Sequence, residues 1–578
     1  MRATLICCPL SNPTCPPAGI AHIKGFIQEN TTHPVTCLDI NIQFIKHATD
    51  NPLRIAELVG VPGGVAGVVH RLFWRSLLGK KLREIPLLKG AVYRGKYATL
   101  DAFIRDAEGI DAAMRCFRNG GEDFENLARY VEHVGTVVIW HLLLLAQGGP
   151  LWQHATKGSR PVEEALSPWL EKIERTNPDV VGFTIIVADQ LEFSLALARS
   201  LKKRGIKIVF GGSSIINFRD KLLMRFPFVD YVLSGPGEFG FMQLLDGRRE
   251  RDIANLTFRD GGRVQTNDQL PLHDQIRSFA CPDYGDFDLD SYLSPERFAR
   301  ILTSRGCYWR RCAYCNHHQS YLNQYFPRDE REVAENLKTL RDRWGIRHVH
   351  FVDEMISPKR FARLSREILG AGLDVNYYAY ARPEAGFTHE ILCQMRQSGC
   401  RAVLWGVESA NRRVLTLMDK GVDIEVVSRV LRDSHRAGIK NVLFIIFGFP
   451  TESESEAYDT LGFLLDHRDC IDGIHMETFY WTPGSPIDRQ PEKYGAKVKG
   501  RKPRVAPRWF NVRARYFNPA TSALLGPDVV DWRPLSGMSH EERVRFLPSH
   551  QHIISRVEWL FFWMREHALI HYSRDKRK

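Results

Sequence analysis

Hydrophobic and polar positions along the chain switch between a strand period and a helix period. "ATLICCP" near the N-terminus is a continuous apolar run of strand length. "PTCPPAGIAHIKGFIQEN" then predicts a turn and a helix with Ile20, Ile23 and Phe26 on one side, and "PVTCLDIN" predicts a second strand. From about residue 46 to 170 the pattern is helical and irregular, without a repeat. Regular alternation resumes with "DVVGFTII" (strand), "QLEFSLALARSLKKRG" (helix), "KIVFGGSS" (strand), "FRDKLLMRF" (helix), "VDYVLSGPGE" (strand) and "FGFMQLL" (helix). Short apolar strands separated by amphipathic helices predict a parallel sheet covered on both faces. "LTFRDGGRVQTND" predicts a β-hairpin and the Pro/Asp/Tyr-rich "CPDYGDFDLDSYLSPE" a linker.

A second series follows. Its strands are "RILTSRG", "HVHFVDE", "DVNYYAYARPE", "RAVLWGVES", "NVLFIIFGFP" and "GIHMETFYWTPGSP", with five helical segments between them. The expected fold class is α/β. A Rossmann-like domain over 1–255 carries a helical insertion at about 46–170, and 256–295 form hairpin and linker. A partial six-unit, TIM-like β/α barrel covers 296–490, and a mostly helical cap covers 491–578. Ligands of such sheets bind at the carboxyl ends of the strands. In the first series the residues there are Thr184, Gly211, Gly212, Gly235 and Glu238; in the second they are Cys307, Asp353, Glu354, Arg382, Glu408, Ser409, Gly448 and Thr482.

Composition refines this picture little. With 578 residues the chain is too long for one core, and 44% hydrophobic with 25% charged residues is the balance of a folded protein. Twelve cysteines, mostly dispersed, suggest a reducing, cytoplasmic compartment. The N-terminus lacks the apolar region and cleavage site of a signal peptide. The longest apolar run, Val134 to Ala146, is shorter than the roughly 20 residues of a membrane span. The apolar stripe of "HIISRVEWLFFWMREHALI" suggests core or interface packing. The net charge is +12, and Lys497 to Arg515 holds eight basic residues and no acid. If that segment faces a substrate pocket, it favours an anionic or carrier-bound small molecule.

The dense chemistry lies in "TSRGCYWRRCAYCNHH", which puts Cys307, Cys312 and Cys315 within nine residues. Three thiolates suit a four-iron, four-sulfur (4Fe-4S) cluster with one iron left open. A zinc site is the alternative, with His317 or His318 as fourth ligand.

"RGCYWRRCAYCNHH", "HFVDE", "YARPE", "LWGVESANRRVLTLMDKG", "IIFGFPTES" and "TPGSP" resemble the radical S-adenosylmethionine (SAM) superfamily. With "PPAGIAHI", "PDVVGFTII", "VFGGSS" and "YVLSGPGE" the chain resembles its cobalamin-binding branch, over roughly 1–45 and 175–490. The resemblance implies that Cys307, Cys312 and Cys315 ligate the cluster and that its open iron binds S-adenosyl-L-methionine. Tyr314 takes the usual aromatic position between the last two cysteines. Asp353 and Glu354 would meet the methionine amine, Glu408 and Ser409 the ribose or methionine part, and Gly448 the adenosyl group, with Arg382 a further cofactor contact. Pro17, Gly19, Thr184, Gly211, Gly212, Gly235 and Glu238 would line the cobalamin site.

Two features depart from the family pattern. The first cysteine gap is four residues rather than three. The cobalt-ligand string Asp-x-His-x-x-Gly occurs only as "DSHRAG", Asp433 to Gly438, at the end of a barrel helix, where Gly438 reads as a helix stop. "SNPTCPPAG" has no histidine.

The implied activity is methylation of an unactivated carbon of a small-molecule or natural-product intermediate, through a 5′-deoxyadenosyl radical and methylcobalamin. An electron donor such as flavodoxin or ferredoxin would be a partner. Cyclisation, rearrangement or oxidation with the same cofactors is a second expectation. An RNA-modifying or RNA-binding protein using Lys497–Arg515, with its interleaved Trp509, Phe510, Tyr516 and Phe517, is a third. The lack of a recognisable RNA-binding domain speaks against nucleic acid as a partner.

Overall fold

A computed structural model describes residues 1–44 and 150–495, apart from 10, 12–14, 187–189, 216–218, 268–278, 293–296, 318–323, 480–481 and 483. The expected insertion up to residue 149, the apolar run at 134–146, the basic segment at 497–515 and the C-terminal stripe lie outside the described residues. Among those described, no helix is long and apolar enough to cross a membrane.

The first sheet has seven strands in the order β2-β1-β3-β4-β5-β6-β7. They are β1 (Ala3–Cys7), β2 (Val35–Asp39), β3 (Val180–Thr184), β4 (Lys207–Gly211), β5 (Tyr231–Leu233), β6 (Leu256–Asp260) and β7 (Arg263–Thr266). The first five are parallel, and the connecting helices are α1 (Ala18–Asn30), α2 (Pro150–Lys157), α3 (Arg160–Glu174), α4 (Gln190–Lys202) and α5 (Arg219–Arg225), with α6 (Gly237–Leu245) after β5. β1 is buried at every position, as strands covered on both faces are. Phe44, Trp169 and Phe193 meet with ring centroids 5.4–5.9 Å apart. Such an aromatic trio ties α3 and α4 together, each fully buried ring contributing roughly 1.5–3 kcal/mol. Register keeps the strand ends level: Cys7 lies opposite both Asp39 and Thr184, and Thr184 opposite Gly211.

The hairpin differs from its expected place in the linker, because β6 pairs antiparallel with β5 and extends the sheet. Burial of Leu256, Thr257 and Phe258 explains this. The Arg259 guanidinium reinforces it by donating to the carbonyls of Val229, Leu223 and Phe226.

The second sheet has six strands in the order β15-β14-β13-β12-β11-β8, namely β8 (Phe298–Ile301), β11 (His348–Phe351), β12 (Asn376–Ala381), β13 (Cys400–Glu408), β14 (Lys440–Phe447) and β15 (Gly473–Thr478). Two short strands, β9 (Ser304–Arg305) and β10 (Phe326–Pro327), pair separately. Between the main strands run α7 (Glu330–Trp344), α8 (Pro358–Gly370), α9 (His389–Gln397), α10 (Arg412–Leu417), α11 (Ile424–Arg436) and α12 (Glu454–Asp466), and α13 (Pro486–Arg489) follows β15. Side-chain caps start several helices: Asp329, Thr388, Asn411 and Asp423 each accept from a backbone N–H of the first turn. This matches the expected strands and helices, except that "RILTSRG" divides between β8 and β9; β10 and the short α10 and α13 are additions. Gly438, at φ 76° after α11, ends that helix, so "DSHRAG" is a helix terminus with Asp433 paired to Arg429 and Arg436.

The described residues form two compact units. One holds Met1–Gly306, His317–Val352 and Ala371–Tyr377; the other holds Cys307–Asn316, Asp353–Gly370 and the described residues from Tyr378 onward. In the first unit the segment after the hairpin lies against α1. Asp283 N–H donates to the Ala21 carbonyl over 3.0 Å, and Lys24 pairs with Asp283 and Asp286 at 3.1 and 2.7 Å. A Cβ on Gly25 would fall well inside contact distance of the Cys281 carbonyl. Gly25→Ala should therefore cost about 1–3 kcal/mol, as overpacking does, read from the denaturation midpoint.

His22, buried on α1, has Nδ1 3.2 Å from the Ala280 carbonyl and, among the described residues, no partner for Nε2. Burial chiefly, then Arg328 and Arg305, push its pKa down to about 3. A histidine whose folded pKa is depressed stabilises the fold above the unfolded value near 6.5, and that contribution is lost as pH falls toward 3. His22→Gln should flatten the decline of the melting temperature between pH 6.5 and 4, by the equivalent of up to ~3 kcal/mol.

Candidate active site

In the second unit, residues 307–316 form a short loop whose middle is anchored in apolar packing. Ala313 is fully buried with Val414, Met418, Phe449, Ile487 and Tyr494, and Tyr314 packs against them. Ala313 N–H donates to the Met418 carbonyl (2.8 Å), and its own carbonyl accepts from Ile487 N–H (3.0 Å). Cys307 and Cys312 are buried and Cys315 is half-buried. The four-residue gap is accommodated by Arg310, which takes a left-handed φ of 60°.

The gap is clamped from outside. The Arg382 guanidinium lies 3.7 Å from the ring centroid of Trp309 and donates to the carbonyls of Lys420 and Gly421, both at 3.1 Å. Trp309 Nε1 donates to the Asp419 carbonyl over 2.7 Å, and Arg311 pairs with the Asp419 carboxylate at 3.0 Å. Tyr308 donates to Glu384, which also pairs with Arg382 at 3.3 Å. Gly421 is required twice over. Its φ is 67°, and a Cβ there would run into the Trp309 ring. These contacts fasten the cysteine loop to residues 418–421.

That fastening delivers Lys420. Its buried ammonium lies 2.6 Å from Glu408 Oε1 and 3.3 Å from the Tyr314 hydroxyl. Burial works against the charge, but Glu408 and then the Cys312 and Cys315 sulfurs outweigh it, so the Lys420 pKa is raised. The Cys312 thiol is pushed up by burial, with Lys420 pulling it down and Glu408, weaker there, pushing it up. Glu408 ends β13 after a register shift between Gly406 and Glu408, at φ 67°. A non-glycine residue held in that region costs about 1–3 kcal/mol and persists only where its surroundings over-determine it.

The other residues expected here divide. Asp353 is buried and Glu354 half-buried, just past β11. Ser409 is fully buried; its Oγ accepts from Asn411 N–H and lies 3.2 Å from Thr460 Oγ1, so it shapes the start of α10. Gly448 N–H donates to the Glu452 carboxylate, and burial first, with Glu456 adding to it against the Gly448 N–H, pushes Glu452 up to about 7. The Arg382 fork is occupied by the clamp.

At the first sheet, Gly19, Thr184 and Gly211 come together. Among the described residues a Cβ on Gly19 would meet only Thr184 Oγ1, at 3.9 Å. Pro17 precedes the first turn of α1. Gly212 and Gly235 have positive φ, so backbone shape alone accounts for glycine there. Glu238 is buried and pairs with Arg305 through Oε1.

The donor set suits a cluster held at three corners: three thiols on one loop, two sealed and one half-exposed, beside a fixed ammonium. His317 is exposed and His318 lies outside the described residues. Sequence reasoning did not single out Lys420, Trp309 or Glu384. Lys420 lies inside the quoted "MDKG", but a lysine in a turn reads as solvated until the fold buries it.

Residues 301–464 match the model of the Radical SAM superfamily. An uncharacterized methyltransferase of Pyrococcus horikoshii is 27% identical over 300 residues, 50% of this chain and 65% of that protein. The cytidylyl-2-hydroxyethylphosphonate methyltransferase of Streptomyces wedmorensis is 26% identical over 47% of this chain and 58% of that one. The chain thus spans less than two thirds of either relative. The radical S-adenosylmethionine methyltransferase TsrM from Kitasatospora setae, solved with cobalamin and a [4Fe-4S] cluster, superposes with a TM-score of 0.56 at 14% identity, over 89% of this chain and 86% of that one. The cobalamin-dependent S-adenosylmethionine radical enzyme OxsB gives 0.56 at 13% identity, over 89% and 64%. At such identities the likeness is one of fold. Residues 301–464 are thus similar to the Radical SAM superfamily, and the chain shares an α/β fold with TsrM and OxsB.

Proposed function

We propose that this chain is a cobalamin-dependent radical SAM enzyme that methylates an unactivated carbon of an anionic small molecule. The observation that carries the reading is the anchored loop that presents Cys307, Cys312 and Cys315 beside Lys420 and Glu408. When bound, a four-iron cluster supplies an electron for splitting S-adenosylmethionine, and cobalamin supplies methyl-transfer chemistry. The chain's own part is to hold and to exclude. Cys307, Cys312 and Cys315 would ligate the cluster, leaving one iron free for the cosubstrate. Asp353 and Glu354 offer carboxylates to a cationic amine and sulfonium. Gly448 and the Glu452-closed turn after it would border the adenosyl group. Gly19, Thr184 and Gly211 would take cobalamin at the first sheet's edge, where small residues let a large ring approach the backbone.

An anionic substrate fits the chain's net charge of +12, and one relative acts on a cytidylyl-linked phosphonate. A flavodoxin or ferredoxin would deliver the electron.

Anaerobic reconstitution of the wild type should give about four irons per chain and broad visible absorbance, and each of Cys307→Ala, Cys312→Ala and Cys315→Ala should abolish 5′-deoxyadenosine release. Full release from any of these variants refutes the ligand assignment. With methyl-labelled S-adenosylmethionine and anionic candidate substrates, mass spectrometry should find the label on a product carbon; deoxyadenosine formed with an unlabelled product would point to radical chemistry without methyl transfer.

A further inference from the structure

Gln190, the first residue of α4, is wholly buried, and backbone groups use both ends of its amide. Its Nε2 donates to the Cys8 carbonyl over 2.9 Å, and its Oε1 accepts from Ile186 N–H over 2.7 Å. One side chain thus joins the turns that leave β1 and β3, neighbours in the first sheet. The join continues toward β4. Ile185 N–H donates to the Gly211 carbonyl (2.8 Å), Ser214 N–H to the Ile185 carbonyl (3.1 Å) and Ser214 Oγ to the Ile186 carbonyl (2.5 Å). Toward β2, buried Asn41 accepts from Ser11 N–H over 3.1 Å and donates to the Ser11 carbonyl over 2.9 Å. Connections beyond strand ends are ordinarily the mobile, water-facing part of such a sheet. Here their peptides are fixed from within, at the edge that carries Thr184 and Gly211.

We propose that Gln190 is a positioning residue for cobalamin: it holds the Cys8 and Ile186 peptides at one spacing and so orders this edge before the ring arrives. The proposal rests on the reading of Gly19, Thr184 and Gly211 as the cobalamin edge. Ordering loose turns at the moment of binding weakens affinity, and a site ordered beforehand avoids that loss. Gln190 is sealed beneath the turns, so it acts through them and not by contact with the ring. A merely structural amide would behave differently. Its loss would lower the melting temperature of the cobalamin-free chain but leave the affinity of the folded molecules unchanged.

The test is equilibrium dialysis of the full chain against hydroxocobalamin, read by corrin absorbance, together with amide hydrogen exchange. Gln190→Met keeps the length and burial of the side chain and loses both hydrogen bonds. It should raise the Kd about tenfold, while iron uptake on reconstitution stays at the wild-type level. Exchange at Ile185 and Ile186 should be slow in the wild type with or without hydroxocobalamin. In Gln190→Met it should be fast without hydroxocobalamin and slow with it. A wild-type Kd in folded Gln190→Met, or slow exchange there without hydroxocobalamin, overturns the proposal. Should Gln190→Met fail to fold, Ser214→Ala decides: it frees the Ile186 carbonyl from Ser214 Oγ and should raise the Kd about threefold, and an unchanged Kd overturns the proposal. A wild type that binds no hydroxocobalamin would instead overturn the cobalamin reading, and this inference with it.

Discussion

An ammonium sealed from water must have a carboxylate beside it, and in the second unit this requirement organises everything around the cysteine loop. Lys420 and Glu408 come from different places, one from the turn after α10 and the other from the end of β13. To bring them within 2.6 Å, the strand bulges and Glu408 takes a left-handed backbone. The turn is held in turn by a guanidinium stacked on an indole. The bulge and the left-handed Glu408 are locally unfavourable, the stack is attractive, and together they define one arrangement.

The first unit solves a different problem. Its parallel strands end level with one another, so small residues from separate strands and from the start of α1 share one edge. One charged pair of that unit is buried: Glu238 faces Arg305, and the Arg305 guanidinium lies 4.4 Å from the centroid of the Phe279 ring.

Much of this was legible in the sequence. Strands such as β1, β3 and β14 are short apolar runs between helices of clear period, and pattern alone finds them. The cysteine loop announced itself by composition. The hairpin was visible as a hairpin, but its partner was not, because the free edge of β5 is a tertiary fact. Arg382 and Ser409 were visible as strand-end polar residues, yet their hydrogen bonds run to Lys420, Gly421, Asn411 and Thr460, at sequence distances no local pattern encodes. Lys420 stayed hidden for the same reason: burial of a lysine is decided by what folds over it.

The stack of Arg382 on Trp309 has a practical meaning for anyone who would retool this scaffold. A planar fork that meets two carbonyls and an indole face at once has no equivalent among the other side chains, since a lysine there could satisfy one contact at a time. Directed-evolution libraries aimed at new substrates should hold positions 309, 382 and 421 constant and place their diversity elsewhere, because variation at this latch would scramble the cysteine loop before any change in selectivity could be scored.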